Sequence, residues 1–219
     1  MSEKLWEDID AYWEEVLIGD DPVLTAARKA AASAGLPDIA VAPNQGKLLN
    51  LMARMIGAKR VLEVGTLGGY SAIWLARALP EGGELVTLEY DPKHADVARA
   101  NVANAGLADK VTVITGAAID TLPTLKGPFD FSFIDADKKS NPDYFGWALK
   151  LSRKGSVIVV DNVVRWGHVL NAESGDANVE GIRRLNEIMA AEPRVSATAI
   201  QTVGAKGHDG LAVALVVAD

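Results

Sequence analysis

Four residues at the ends of two apolar runs have the chemistry to hold a hard cation and move a proton beside it. The run at 129–134 is followed by Asp135-Ala136-Asp137-Lys138, and the run at 156–160 by Asp161-Asn162. If the two runs are neighbouring parallel strands, their carboxyl ends aim Asp135, Asp161 and Asn162 at one crevice. Two carboxylates and an amide oxygen, without histidine or cysteine, suit Mg²⁺, Mn²⁺ or Ca²⁺. Such a set leaves positions for water and a substrate on an octahedral ion. Either acid alone could simply cap its own loop. Lys138 follows Asp135 closely enough to return its amine to the crevice as a general base, whereas Lys139 reads as a solvated surface lysine. A cation held there would acidify a bound hydroxyl next to an electrophile.

A second constellation follows the run at 60–64 and reads Glu63-Val64-Gly65-Thr66-Leu67-Gly68-Gly69-Tyr70-Ser71. A dinucleotide fingerprint G-x-G-x-x-G would need glycine where Leu67 stands, which argues against NAD. An acid two residues before the first glycine is a poor surrounding for pyrophosphate but suits a ligand that carries an ammonium group. Glu89 closes the run at 85–88, where it is placed to accept hydrogen bonds from two ribose hydroxyls and to repel a 2′-phosphate. Asn141-Pro142-Asp143-Tyr144 superficially resembles the Asn-Pro-Pro-Tyr motif of amine methyltransferases. Here, however, Asp135 already occupies the strand end and Asp143 replaces the second proline. Asn141 is therefore expected as a helix N-cap, with Pro142 as the first helical residue.

The elements that must position these groups are legible from periodicity. Leu5, Trp6, Ile9, Trp13, Val16 and Leu17 recur as in a helix, and Glu3, Glu7, Asp8, Asp10, Glu14 and Glu15 lie on its other faces as a solvated acidic surface. Asp20-Asp21-Pro22 starts another helix and Gly35-Leu36-Pro37 stops it; a further one is expected over 44–56. From residue 60, β-rich runs at 60–64, 85–88, 111–114, 129–134 and 156–160 alternate with helical stretches, which implies a parallel sheet with helices on both faces. The last two runs, 195–201 and 211–217, are joined through the Gly-rich 204–210 without a helix, so an antiparallel edge hairpin is expected. No linker splits the chain, and residues 1–219 are expected to form one domain, with 1–40 covering the site or contacting a second subunit and 41–219 as the core.

Composition narrows the function. The 219 residues are 49% hydrophobic, enough for one well-buried core. A net charge of −7 leaves no electrostatic footprint for nucleic acid or an anionic membrane, so a small molecule is the expected partner. The absence of cysteine removes thiolate nucleophiles and disulfides, and the start of the chain lacks the pattern of a secretory leader; a cytoplasmic protein is expected.

Glu63, the Gly65–Gly69 turn, Ser71 and Glu89 together resemble the S-adenosylmethionine site of class I methyltransferases. With "VLEVGTLGGYSAIWLA", "LEYDP", "FIDADK" and "VIVVDNVVRWG" in order, the chain from about Val41 onward resembles the cation-dependent O-methyltransferases, which include catechol and caffeoyl-CoA O-methyltransferases. The resemblance implies an α/β, Rossmann-like, seven-stranded and mostly parallel sheet, S-adenosylmethionine as methyl donor, Mg²⁺ or a similar ion, a hydroxylated aromatic acceptor and a homodimer. It carries the metal ligands onto Asp135, Asp161 and Asn162, the base onto Lys138, and cofactor contacts onto Val41, Glu63, Gly65, Thr66, Ser71, Glu89 and Asp135. Adenine would lie near Ala117 and Ala118, where many methyltransferases carry a polar side chain. Catechol-specific members place a glutamate near the last hairpin, and "QTVGAKGHDG" has no clear counterpart. Acceptor specificity is expected in the N-terminal segment and in 163–178, with Arg165 and Trp166 as its notable side chains. A metal-independent methyltransferase and a non-catalytic cofactor-binding protein are the alternatives.

Overall fold

The computed structural model describes residues 2–219. The chain runs α1 (Glu3–Trp13), a π-helical turn (Glu14–Ile18), α2 (Pro22–Ser33), α3 (Pro43–Met55), β1 (Arg60–Val64), α4 (Tyr70–Ala76), β2 (Glu84–Glu89), α5 (Pro92–Asn104) and β3 (Val111–Thr115). It continues with α6 (Ala118–Thr121), β4 (Phe131–Ile134), α7 (Asn141–Lys150), β5 (Val157–Asp161), α8 (Ala177–Ala191), β6 (Val195–Gly204) and β7 (Gly207–Val216). One seven-stranded sheet results, ordered β3-β2-β1-β4-β5-β7-β6, in which only β7 breaks the parallel run by pairing antiparallel with both neighbours. The order reverses between β1 and β4, so the crevice beyond their carboxyl ends is where this topology receives a ligand.

Strand periodicity decides which helices cover which face. Val61, Phe131, Phe133, Val157 and Val159 face Leu24, Leu49, Ala53 and Ile73 of α2, α3 and α4. Leu62, Val64, Ile134, Ile158 and Val160 face Phe145, Leu149, Ile182 and Leu185 of α7 and α8. Each face is apolar because each is covered, and the strands therefore read as unbroken apolar runs.

Three local expectations are corrected. Asn141 is the first residue of α7 rather than its N-cap, because a 3-10 turn at Lys138–Ser140 already leads into the helix and moves the cap position to Ser140. The Asn141 side chain is fully buried, and neither amide atom has a hydrogen-bond partner among the described residues. The final hairpin is tighter than its glycines suggested: pairing continues to Gly204↔Gly207, leaving only Ala205 and Lys206 as loop. Finally, the acidic face of α1 is not uniformly solvated, since Asp10 is buried. The helix widens to π geometry at Glu14, which takes the following residues out of the 3.6-residue register; Val16 and Leu17 stand 57% and 69% exposed.

Candidate active site

A cleft of about 870 Å³ opens at the carboxyl ends of β1, β2, β4 and β5. Gly65 follows β1 with φ +98°, and a Cβ there would fall on the backbone oxygen of Asp135. This close approach brings the β1 turn against the end of β4. Glu63, on β1, is fully buried, and its Oε2 accepts from Thr87 Oγ1 at 2.6 Å. Since Thr87 donates there, Thr66 Oγ1 must donate to Thr87 Oγ1, 2.5 Å away. Glu63 Oε1 has no partner among the described residues. Burial pushes the Glu63 carboxyl up to about 7 against the opposing pull of the Ser71 and Thr87 hydroxyls, with the charges of Asp135 and Glu89 adding a smaller push upward.

Glu89 has work beyond the ribose contact expected of it. Its Oε2 accepts from the backbone N–H groups of Thr66 and Leu67 at 3.1 and 2.7 Å, and Oε1 accepts from Asp91 N at 2.9 Å. Leu67 adopts φ +50°, the left-handed conformation, within the turn that this carboxylate holds. Glu89 thus holds the glycine-rich turn in shape, and Val41, Gly65, Thr66, Ser71, Glu89, Ala117 and Ala118 all line one cleft.

The second cluster borders the same cleft. Asp135, Lys138 and Asn162 line it; Lys138 is buried, with Nζ 2.6 Å from Asp135 Oδ1. The chain that carries Lys138 is fixed by α8, whose Gly181 packs on the backbone of Lys138 and Lys139 where no Cβ fits. Asp161 is buried at the end of β5, with Oδ1 accepting from Asn162 N and Oδ2 from Gln45 Nε2, both at 2.7 Å. Burial, then the charge of Asp135, pushes the Asp161 carboxyl up to about 7, against the opposing pull of Lys138 and Gln45. Asn162 turns the chain away with φ +58°, a conformation asparagine tolerates.

Arg165 and Trp166 are not among the residues lining the cleft. Both lie on a strained 3-10 segment with φ of 49° and 55°, and the Trp166 ring packs on Gly207 of the final hairpin. Asp209 Oδ1 anchors that segment by accepting from the N–H groups of Val164, Arg165 and Gly210 at 2.9–3.0 Å.

Sequence reasoning missed several wall residues. Tyr144 donates to Asp137 Oδ1 at 2.7 Å and Ser140 to Oδ2 at 2.6 Å, and all three line the cleft. Asp137 stands two residues after Asp135 in the same loop, a signal that was available. His94 lines the cleft with Nδ1 3.6 Å from Glu89 Oε1. Gln45 carries no motif that could have marked it.

The O-methyltransferase family model matches residues 14–215. A catechol O-methyltransferase of Mycobacterium tuberculosis is 58% identical over 210 residues, covering 95% of each chain. The crystal structure of an O-methyltransferase from Bacillus cereus in complex with SAH is 54% identical, with a TM-score of 0.97 over 98% of this chain and 100% of that one. The O-methyltransferase TomG of Streptomyces achromogenes, solved in complex with SAM, is 49% identical, with a TM-score of 0.96 over 99% of each chain. This chain belongs to the O-methyltransferase family, as a class I, S-adenosylmethionine-dependent enzyme.

Proposed function

We propose that the chain transfers the methyl group of S-adenosylmethionine to a hydroxyl of a small vicinal diphenol, with Mg²⁺ or a similar divalent cation held by Asp135, Asp161 and Asn162. The observation that carries this reading is that Gly65, Glu89, Asp135, Lys138 and Asn162 line one cleft at the carboxyl ends of the strands, while Glu63 on β1 and Asp161 at the end of β5 are buried in the sheet and do not line it. The names of the M. tuberculosis relative and of the SAM complex of TomG support the acceptor class and the donor.

The residues fit a cation. Among the described residues no three His, Cys, Asp or Glu side chains form a metal cluster, and the proposed set is two carboxylates, Asp135 and Asp161, with the amide of Asn162. That set suits a hard ion with open positions. Asp135 and Asp161 lie near enough that the charge of one raises the other's pKa, a conflict that a divalent cation resolves. When bound, such an ion fixes and acidifies an acceptor hydroxyl.

The chain's own residues do the rest. Glu63 Oε1, buried without a partner, receives the ammonium of the cofactor, and Glu89 holds the turn that supports its ribose. Ala117 and Ala118 bring no polar side chain, so they pack on the adenine, while Asp137 and Tyr144 are polar groups of the same cleft. Lys138 Nζ, which donates to Asp135 here, would take the acceptor proton as the neutral amine, in the state where a bound cation occupies Asp135 in its place. The acceptor oxygen forms a bond to the methyl carbon as the carbon–sulfur bond breaks and its electron pair returns to sulfur. The sulfonium is already activated, so positioning supplies much of the acceleration.

Asp209 is the only acidic residue of 201–210. Its Oδ1 is engaged by three backbone N–H groups, so the reading is kept to vicinal diphenols as a class rather than catechol itself. Residues 1–40 and 41–219 act as one domain in this reading. Of the described residues 2–40, Ile39 and Ala40 line the cleft.

The test is Asp161→Ala, followed by calorimetric titration with Mg²⁺ and with S-adenosylmethionine. Mg²⁺ binding is lost and turnover falls by about 10²–10³-fold, while cofactor affinity is retained. Full metal-dependent turnover in this variant would remove Asp161 from the site.

A further inference from the structure

One acid of α1 is sequestered, and it leads to the cation site. Asp10 Oδ1 accepts from Asn44 Nδ2 at 3.0 Å, and Oδ2 accepts from Ala205 N at 2.7 Å. It therefore fastens α1 both to the first turn of α3 and to the β6–β7 loop. Gly204 permits this approach, since a Cβ there would collide with the Asp10 carboxylate. The next residue of α3, Gln45, donates Nε2 to Asp161 Oδ2 at 2.7 Å. Because Asp161 Oδ1 accepts from Asn162 N, both oxygens of this carboxylate are oriented by the protein itself.

The first turn of α3 is held at both ends. Pro43 occupies its start, and Gly46 lies against the Trp74 indole, where no Cβ fits. Asn44 and Gln45 lie between these two fixed points. Asn44, which donates to Asp10, and Gln45, which donates to Asp161 Oδ2, are thus successive residues of one turn. Groups that orient a metal ligand in this way change metal affinity by about 10–100-fold when removed.

We propose that Gln45 is a positioning residue for Asp161, and that Asp10 couples the N-terminal helix to it. Docking of α1 and binding of a divalent cation at Asp135, Asp161 and Asn162 then reinforce each other, and the coupling is reciprocal. The inference rests on the cation reading above.

Mn²⁺ affinity, measured by calorimetry without acceptor, separates the two claims in wild type, Gln45→Leu, Gln45→Asn, Asp10→Asn and Asp161→Ala. Both Gln45 variants bind Mn²⁺ about 10–100-fold more weakly while S-adenosylmethionine affinity is retained. Asp10→Asn weakens Mn²⁺ by a smaller factor and speeds hydrogen exchange of the α1 amides. Saturating Mn²⁺ slows that exchange in wild type but not in Gln45→Leu. Wild-type Mn²⁺ affinity in both Gln45 variants, with binding lost in Asp161→Ala, overturns this inference alone. Unchanged affinity in Asp161→Ala overturns the cation reading beneath it.

Discussion

Glu63 gives the protein a stability that falls as pH rises, and Glu63→Gln isolates that effect. The side chain is fully buried, and its carboxyl is moved from the ordinary 4.5 to about 7, chiefly by burial. The folded state thus keeps a proton that the unfolded chain has already released, and folding is favoured by protonation. Stability is undiminished below the unfolded pKa, declines as pH rises from 4.5 toward 7, and has lost the full contribution above that value. A displacement of this size corresponds to about 3 kcal/mol. Urea unfolding of wild type and Glu63→Gln, without cofactor, at several values between about pH 5 and pH 8 reads it directly. Asp161 and other groups titrate in both proteins, so the difference between the two profiles belongs to Glu63. The ammonium of S-adenosylmethionine favours the carboxylate, so cofactor affinity in wild type rises over the same window and binding releases a proton, whereas Glu63→Gln binds more weakly with a flatter profile. Parallel unfolding profiles for the two proteins would refute the argument from burial.

Lys138→Met removes the proposed proton acceptor and lowers kcat by about 10²–10⁴-fold with little change in cofactor affinity, read by single-turnover kinetics; a drop in cofactor affinity with kcat intact would assign Lys138 to binding instead. The exposed apolar stripe of α1 and its π turn, with Val16 and Leu17 the most exposed, joins the long exposed edge strand β6, which carries no charged or proline residue to deter pairing. We propose a homodimer through these surfaces: sedimentation of the wild type gives a dimer and Leu17→Asp with Ile200→Lys gives a monomer, whereas a monomeric wild type at micromolar concentration removes the interface.

Much of this site was legible because its signals are local. Asp135, Asp161 and Asn162 follow apolar runs whose ends any parallel sheet must present together, and the Gly65–Gly69 turn advertises its own backbone demands. What stayed hidden depends on distant partners. Asp10 reads as one acid among many on an amphipathic helix, and only the approach of Asn44 and Ala205, the latter 195 residues away, makes it a buried acceptor. Gln45 is an ordinary helical residue until β5 delivers Asp161. Asn141 was misplaced by one position because the Asn-Pro pair is a helix-start signal whether the asparagine precedes the helix or opens it. The place of Trp166 on the final hairpin, fixed by a left-handed turn that Asp209 pins, likewise depends on a distant partner.

The measurement that tests the central claim most directly is methyl transfer from labelled S-adenosylmethionine to a panel of vicinal diphenols, including caffeic acid and caffeoyl-CoA, with Mg²⁺ and with EDTA. The account predicts transfer that EDTA abolishes and Mg²⁺ restores. Transfer undiminished by EDTA would contradict the role given to Asp135, Asp161 and Asn162, and binding of the cofactor without methylation of any diphenol would contradict the acceptor.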